Sequence, residues 1–276
     1  MRRGGAVGGL LRSCHPDACA AVTVVAVLLA VAVGRDVLGT VLVGAAVLAG
    51  QLCVGWTNDA LDAERDIAIG RTDKPIASGA VGRRAVGVAA AVAGVACVPL
   101  SLGVGLLPGT LHLVAVLSAL AYDVGLKATV ASVVPYLVSF GLLPVFAVLG
   151  PAPQPPWWLP VAGALLGGGA HFANVLPDLG DDAATGVRGL PHRMGAAGSR
   201  WAAVALLVAA SVVLVLGPDG HLVVRLALAG AALSTLAGGL VAARRPGSRA
   251  VFRAVLVVAL LDVAQLVVAG ASLAGR

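Results

Sequence analysis

Of 276 residues, 59% are hydrophobic and only 12% are charged, and the mean hydropathy is +0.98. That balance excludes a soluble domain and predicts an all-α polytopic membrane protein, a single domain over residues 1–276. In such a chain the net charge of +6 reports orientation rather than nucleic-acid binding.

Spans of about 17–25 apolar residues predict nine transmembrane helices, at roughly 17–34, 37–56, 83–103, 108–124, 130–150, 156–176, 198–216, 221–243 and 251–272. They are expected to form a bundle around a central apolar cavity with a polar cap on the cytoplasmic side. The first apolar run is long enough to span and lacks a small-residue cleavage site, so it is expected to act as its own insertion signal. Gly34, Pro108-Gly109, the proline-rich run 151–156 and Gly217-Pro218-Asp219-Gly220 punctuate connections on one side. Lys and Arg crowd the other: Arg2, Arg3, Arg12; Arg65, Arg71, Lys74, Arg83, Arg84; Lys127; Arg188, Arg193, Arg200; and Arg244, Arg245, Arg249, Arg253. That is 16 against three, the three being Arg35, Arg225 and Arg276. The positive-inside rule then puts the N-terminus and both acid-rich stretches in the cytoplasm and the C-terminus outside. Cys14, Cys19, Cys53 and Cys97 match no zinc or disulfide spacing and read as small buried residues. Gly163, Gly167, Gly168 and Gly169 read as helix-packing positions.

Charge is concentrated in two stretches, expected as loops at about 57–82 and 177–197. Asn58, Asp62 and Asp66 stand four apart, and Asn174, Asp178 and Asp182 repeat the skeleton 116 residues later. On helical backbone such residues share one face. Asp59, Glu64 and Asp181 add to the same stretches. Two carboxylates about 6 Å apart repel by roughly 3 kcal/mol at an effective dielectric near 20, so something positive must neutralise them. Oxygen donors without interleaved His or Cys indicate Mg2+, whose shell readily includes water and phosphate. Arg71 and Lys74 follow the first stretch, Arg188 and Arg193 the second, and Lys127 lies between; all suit a diphosphate. A diphosphate at the mouth of an apolar bundle implies a lipid tail inside it, and an isoprenyl diphosphate meets that description.

The residues resemble those of the UbiA-type intramembrane aromatic prenyltransferases. Asn58-Asp59-x-x-Asp62-x-x-x-Asp66 is similar to the family's first motif, and Arg71-Thr72-Asp73-Lys74-Pro75-Ile76-Ala77-Ser78-Gly79 to the segment after it. Tyr122-x-x-x-x-Lys127 is similar to the central turn, and Asp178-x-x-x-Asp182 with Gly186, Leu190 and Gly195 to the second motif. The resemblance implies Mg2+-assisted ionisation of an allylic diphosphate, attack on the cation by a lipophilic acceptor, and release of diphosphate. It implies Mg2+ ligands among Asn58, Asp59, Asp62, Asp66, Asn174, Asp178 and Asp182, with Asp62, Asp66, Asp178, Asp182, Lys127 and Tyr122 catalytic. Arg71, Lys74, Arg188 and Arg193 would hold the diphosphate. The rival readings are a CDP-alcohol phosphotransferase, which would need an Asp-Gly-x-x-Ala-Arg signature, and a membrane transporter or binding protein for divalent cations or diphosphate lipids, which would need acids near mid-membrane. Asp262, with Gln265, is an acid inside the ninth span and reads as an interhelical contact; His171 reads as a hydrogen-bonded bundle histidine; Arg12 and Pro16 read first as topology signals.

Overall fold

A computed structural model of the chain describes residues 5–151, 154–219, 222–242, 250–271 and 273. The helices are α1 (Ala6–Ser13), α2 (Pro16–Ala32), α3 (Val37–Ala68), α4 (Arg83–Val104), α5 (Leu106–Val124), α6 (Val134–Val148), α7 (Trp158–Val175), α8 (Leu179–Ala184), α9 (Leu190–Leu216), α10 (Leu222–Ala242) and α11 (Ala250–Ala271). Short 3-10 turns lie at Leu126–Ala128 and Leu176–Asp178. Each expected span coincides with a helix. Among the described residues, α3, α4, α5, α9, α10 to Gly239 and the run Trp158–Asp178 are each long and apolar enough to cross a bilayer. The pair α1 and α2, bent by 57°, makes a seventh candidate, while α6 and Val257–Gly270 of α11 are apolar but shorter. Of the residues that set the expected orientation, Arg2, Arg3, Arg244, Arg245, Arg249 and Arg276 lie outside the described residues.

Local chemistry sets the ends of these helices. Asp36 caps α3 by accepting from the Gly39 N–H at 2.9 Å, and Pro16, Pro135 and Pro191 stand in the first turns of α2, α6 and α9, where a missing N–H costs nothing. The loop expected at 57–82 begins only after Ala68, because α3 runs through the first acidic stretch. Ala60, Leu61, Ala63, Glu64 and Arg65 are strong helix formers, and no glycine or proline intervenes before Gly70. Gly70 stops the helix at φ +71. Its N–H reaches Ile67 O, and the Arg71 N–H reaches Asp66 O at 2.9 Å, the paired bonds of a Schellman ending.

Consecutive helices pack as neighbours: α2 on α3, α3 on α4, α5 on α6, α6 on α7, α7 on α9 and α10 on α11; α11 returns to α2 and closes the ring. Close approach between α6 and α7 depends on Gly167, where a Cβ would stand 2.6 Å from Tyr136 O. Phe146, Leu29, Leu159, Leu207 and Leu214 are the largest apolar side chains fully buried among the described residues. Outside the ring, Val92, Val95, Leu117 and Val223 lie exposed, as helices turned toward lipid require. All four cysteines are free and buried.

Candidate active site

The two acidic stretches meet over one cavity of about 810 Å3. Its polar end is lined by Asn58, Asp62, Asp66, Arg71, Lys74, Tyr122, Lys127, Asn174, Asp178 and Asp182; Val22, Val54, Phe140, Leu207 and Ala259 form apolar wall. The helical phase of α3 explains the first set, since Asn58, Asp62 and Asp66 fall on one face. The second set is built differently. Asn174 ends α7, Asp178 ends the 3-10 turn opened by Leu176-Pro177, and Asp182 lies in α8. Three residues at 3-10 rather than α pitch shift the phase by roughly 60°. Asn174 thus falls out of line with the acids that follow it, and its Nδ2 donates to the Tyr136 hydroxyl at 3.4 Å.

Both stretches close in the same way. Gly186, four residues after Asp182 as Gly70 is after Asp66, stands at φ +86, and the Val187 N–H reaches Asp182 O at 2.9 Å. The repeated skeleton is therefore N-x3-D-x3-D-x3-G in both copies, and its glycine supplies the left-handed residue that turns the chain. The turn after Gly70 delivers Arg71 and Lys74 to the cavity.

Three of the acids at the cavity, Asp62, Asp178 and Asp182, are met by the chain's own cations. Lys127 Nζ lies 2.5 Å from Asp62 Oδ1. Arg65 Nη2 lies 2.8 Å from Asp62 Oδ2 and 3.8 Å from Asp182 Oδ1, so one guanidinium bridges the two stretches. Arg71 makes the second bridge, 3.7 Å from Asp178, while its other nitrogens hold Asp73 at 2.8–2.9 Å. Hydrogen bonding to Asp73 strengthens the Arg71 cation, and the same bonds hold the Asp73 carboxyl below the usual range. Burial pushes the Asp182 carboxyl up, against the pull of Arg65. His192, at the start of α9, stands 3.5 Å from Asp182 Oδ2.

Several expected residues do not reach the cavity. Asp59 is buried behind it, 3.0 Å from Lys74 Nζ, and so anchors that lysine. Arg188 and Arg193 are exposed and absent from the lining; Arg193 Nε donates to Arg188 O. The α9 turn presents His192 to the cavity in their stead. His171 is fully buried, 3.1 Å from Ser132 Oγ and edge-on to Tyr122. Asp262 accepts from Ser211 at 2.5 Å across the α9–α11 contact. The side chain of Asp181 lies outside the described residues. Sequence reasoning missed Arg65, Asp123, His15, Tyr136 and His192, all on the lining. Arg65 carried a signal, since it follows Asp62 by three on what proves to be helix.

Among the described residues, no group of three or more His, Cys, Asp or Glu side chains is arranged as a ready-made metal site. Mg2+ does not require one, because it keeps several waters and binds through one or two carboxylates plus phosphate oxygens. The donors that the two acidic stretches present to the cavity are hard oxygens of Asp and Asn, and Asp62, Asp178 and Asp182 are already placed against positive charge. The residues fit a Mg2+–diphosphate pair, for which the acids would supply oxygen donors and Lys127, Arg65 and Arg71 positive charge.

The model of the UbiA prenyltransferase family matches residues 19–268. The chain belongs to that family, and it is an integral membrane prenyltransferase. No curated protein matches it in sequence. Among solved structures, a UbiA homolog from Archaeoglobus fulgidus bound to DMAPP and Mg2+ is 14% identical with a TM-score of 0.70, over 94% of this chain and 98% of its own. An apo UbiA homolog from Aeropyrum pernix K1 is 19% identical at 0.68, over 89% and 97%. A digeranylgeranylglyceryl phosphate synthase is 17% identical at 0.69, over 98% and 99%. At these identities the likeness is one of fold.

Proposed function

We propose that the chain transfers a prenyl group from an isoprenyl diphosphate to a lipophilic acceptor, aromatic or otherwise, within the bilayer, using Mg2+ and releasing diphosphate. The observation that carries this reading is the double bridge: Arg65 joins Asp62 to Asp182 and Arg71 lies against Asp178, at the polar end of a cavity whose remaining wall is apolar. A diphosphate belongs at that end and its hydrocarbon in the rest. In this reading all nine expected helices span, with the bent α1–α2 pair as the first and the shorter α6 and α11 included, and residues 1–276 form one domain. The polar cap faces the cytoplasm and the C-terminus lies outside.

Asn58, Asp62, Asp66, Asp178 and Asp182 would hold Mg2+. The bound ion supplies charge stabilisation for the departing diphosphate. Lys127, Lys74 and Arg71 orient the phosphate oxygens and take up the negative charge that grows on them as the allylic C–O bond lengthens. Tyr122 lines the junction between the charged end and the apolar wall, beside the carbon that becomes cationic. The enclosing helices keep water from capturing that cation before the acceptor does. Asp59 contributes by fixing Lys74, and Asn174 by holding Tyr136.

A transporter reading is less well supported, because Asp262, the acid within the ninth span, is tied to Ser211 and is not part of the cavity. Asp62→Ala and Asp178→Ala are each expected to abolish Mg2+-dependent consumption of labelled prenyl diphosphates while the protein remains inserted. Turnover surviving both changes would remove the site assignment. The same assay on wild-type protein, with donors of several lengths and a lipid extract as acceptor source, identifies the prenylated product by mass.

A further inference from the structure

Asp123, in the last turn of α5, has no part in the roles above, yet it is 5% exposed and reaches the polar end of the cavity. Its Oδ1 accepts from Asn58 Nδ2 at 2.9 Å. The same Nδ2 lies 3.3 Å from Asp62 Oδ2. A carboxamide has two N–H donors and one carbonyl oxygen, and here both donors are committed to carboxylates. The amide cannot turn over without setting its oxygen against two negative groups. Asn58 Oδ1 is therefore held as the end of the amide turned away from both acids, where the His15 imidazole hydrogen-bonds the Asn58 side chain, and Asn58 borders the cavity.

The other carboxylate oxygen, Asp123 Oδ2, is buried without a partner among the described residues. It is closed off from the cavity and is not placed to touch a substrate. A neutral residue at the end of α5 would avoid burying that oxygen, so closing the fold gives no reason for an acid here. What the acid does accomplish is to fix one amide.

We propose that Asp123 is a positioning residue that locks the Asn58 side chain with its carbonyl oxygen toward the cation site. This rests on the reading that Asn58 and Asp62 bind Mg2+. An outer partner that orients a metal ligand is generally worth about 10–100-fold in metal affinity. The role differs from that of Lys127, which neutralises Asp62, because Asp123 adds negative charge beside the site and acts through geometry.

The test uses the full chain in detergent or lipid discs, with Mn2+ as the probe, followed by electron paramagnetic resonance so that the readout is independent of turnover. Asp123→Leu is expected to weaken Mn2+ binding about 10–100-fold. Asp123→Asn, nearly isosteric and able to accept from Asn58 through its own carbonyl, is expected to lose less, and it carries the test if the leucine variant does not fold. In an Asn58→Ala background either change is expected to cost no more than about twofold, because the effect passes through Asn58. Wild-type Mn2+ binding that is unchanged in Asp123→Leu, or in Asp123→Asn if only that variant folds, overturns the inference alone. So does a full loss on top of Asn58→Ala. No Mn2+ binding by wild-type protein overturns the underlying metal reading and this inference with it.

Discussion

Lys74 and Arg83 form ion pairs of similar length, 3.0 Å to Asp59 and 2.5 Å to Glu64, but the Asp59 side chain is 2% exposed and that of Glu64 82%. Water and salt screen the second pair and leave the first to the protein. Lys74→Met strands a buried carboxylate and is expected to lower unfolding stability by about 3–5 kcal/mol. Glu64→Ala is expected to change it by no more than about 1 kcal/mol. Denaturant unfolding in a fixed detergent compares the two, and equal losses would show that Asp59 is solvated or neutral. In the sequence these acids look alike, five residues apart in one stretch. Their spacing from Asn58, Asp62 and Asp66 identified the face that carries the site, whereas the burial of Asp59 depends on Lys74, delivered by the turn after Gly70. Asp123 was less legible still, since its partner is 65 positions away.

At the level of elements, the acidic stretches were expected as loops and proved mostly helical. Hydropathy locates where a helix leaves the apolar layer and says nothing of where the helix ends. The end of α3 is set by Gly70, and the matching Gly186 shows the same device after the second stretch. Extending the N-x3-D-x3-D comparison by four residues makes that ending visible in the sequence. The 3-10 turn at Leu176–Asp178 was not visible, although Pro177 within it hinted at a change of pitch. Helix contacts can be tested by paired substitutions. At Gly167 an added Cβ would meet Phe140 Cβ at 2.5 Å and Tyr136 O at 2.6 Å, whereas at Gly87, within α4, nothing lies within 4 Å. Gly167→Ala is expected to cost about 1–3 kcal/mol by forcing α6 from α7, and to reduce turnover because Tyr136 and Asn174 move apart. Gly87→Ala is expected to be neutral or to stabilise by up to about 1 kcal/mol through helix propensity alone. Thermal unfolding of both variants separates packing from propensity, and a harmless Gly167→Ala would mean that α6 and α7 have slack at their contact.

For the whole molecule, the ring is closed by α11 against α2, a contact between opposite ends of the chain that no local pattern reveals. Nor does the sequence disclose how cavity wall from α2, α5, α6, α7, α9 and α11 selects an acceptor, because those side chains come together only once the ring closes. Orientation can be proposed from the sequence alone, because it depends on where the basic residues fall rather than on how the helices pack. The fold supplies a direct way to check it. Native cysteines are all buried, so an introduced thiol can be read against a low background. Ser199, near the cap, is a poor choice, being fully buried with its hydroxyl donating to Pro191 O. Arg84, in the first turn of α4, and Leu106, just past its end, are both exposed, and the 22 residues of α4 at 1.5 Å each span about 33 Å, enough to cross the hydrocarbon core. A membrane-impermeant maleimide is expected to label Arg84→Cys only from the cytoplasmic face and Leu106→Cys only from the opposite face. Reversed labelling would invert the molecule and place the diphosphate end outside the cell. Labelling of both from one face would show that α4 does not cross and that fewer than nine helices span. The expected pattern puts the charged mouth where a water-soluble diphosphate headgroup is presented by the cytoplasm, with the apolar cavity leading away into the bilayer.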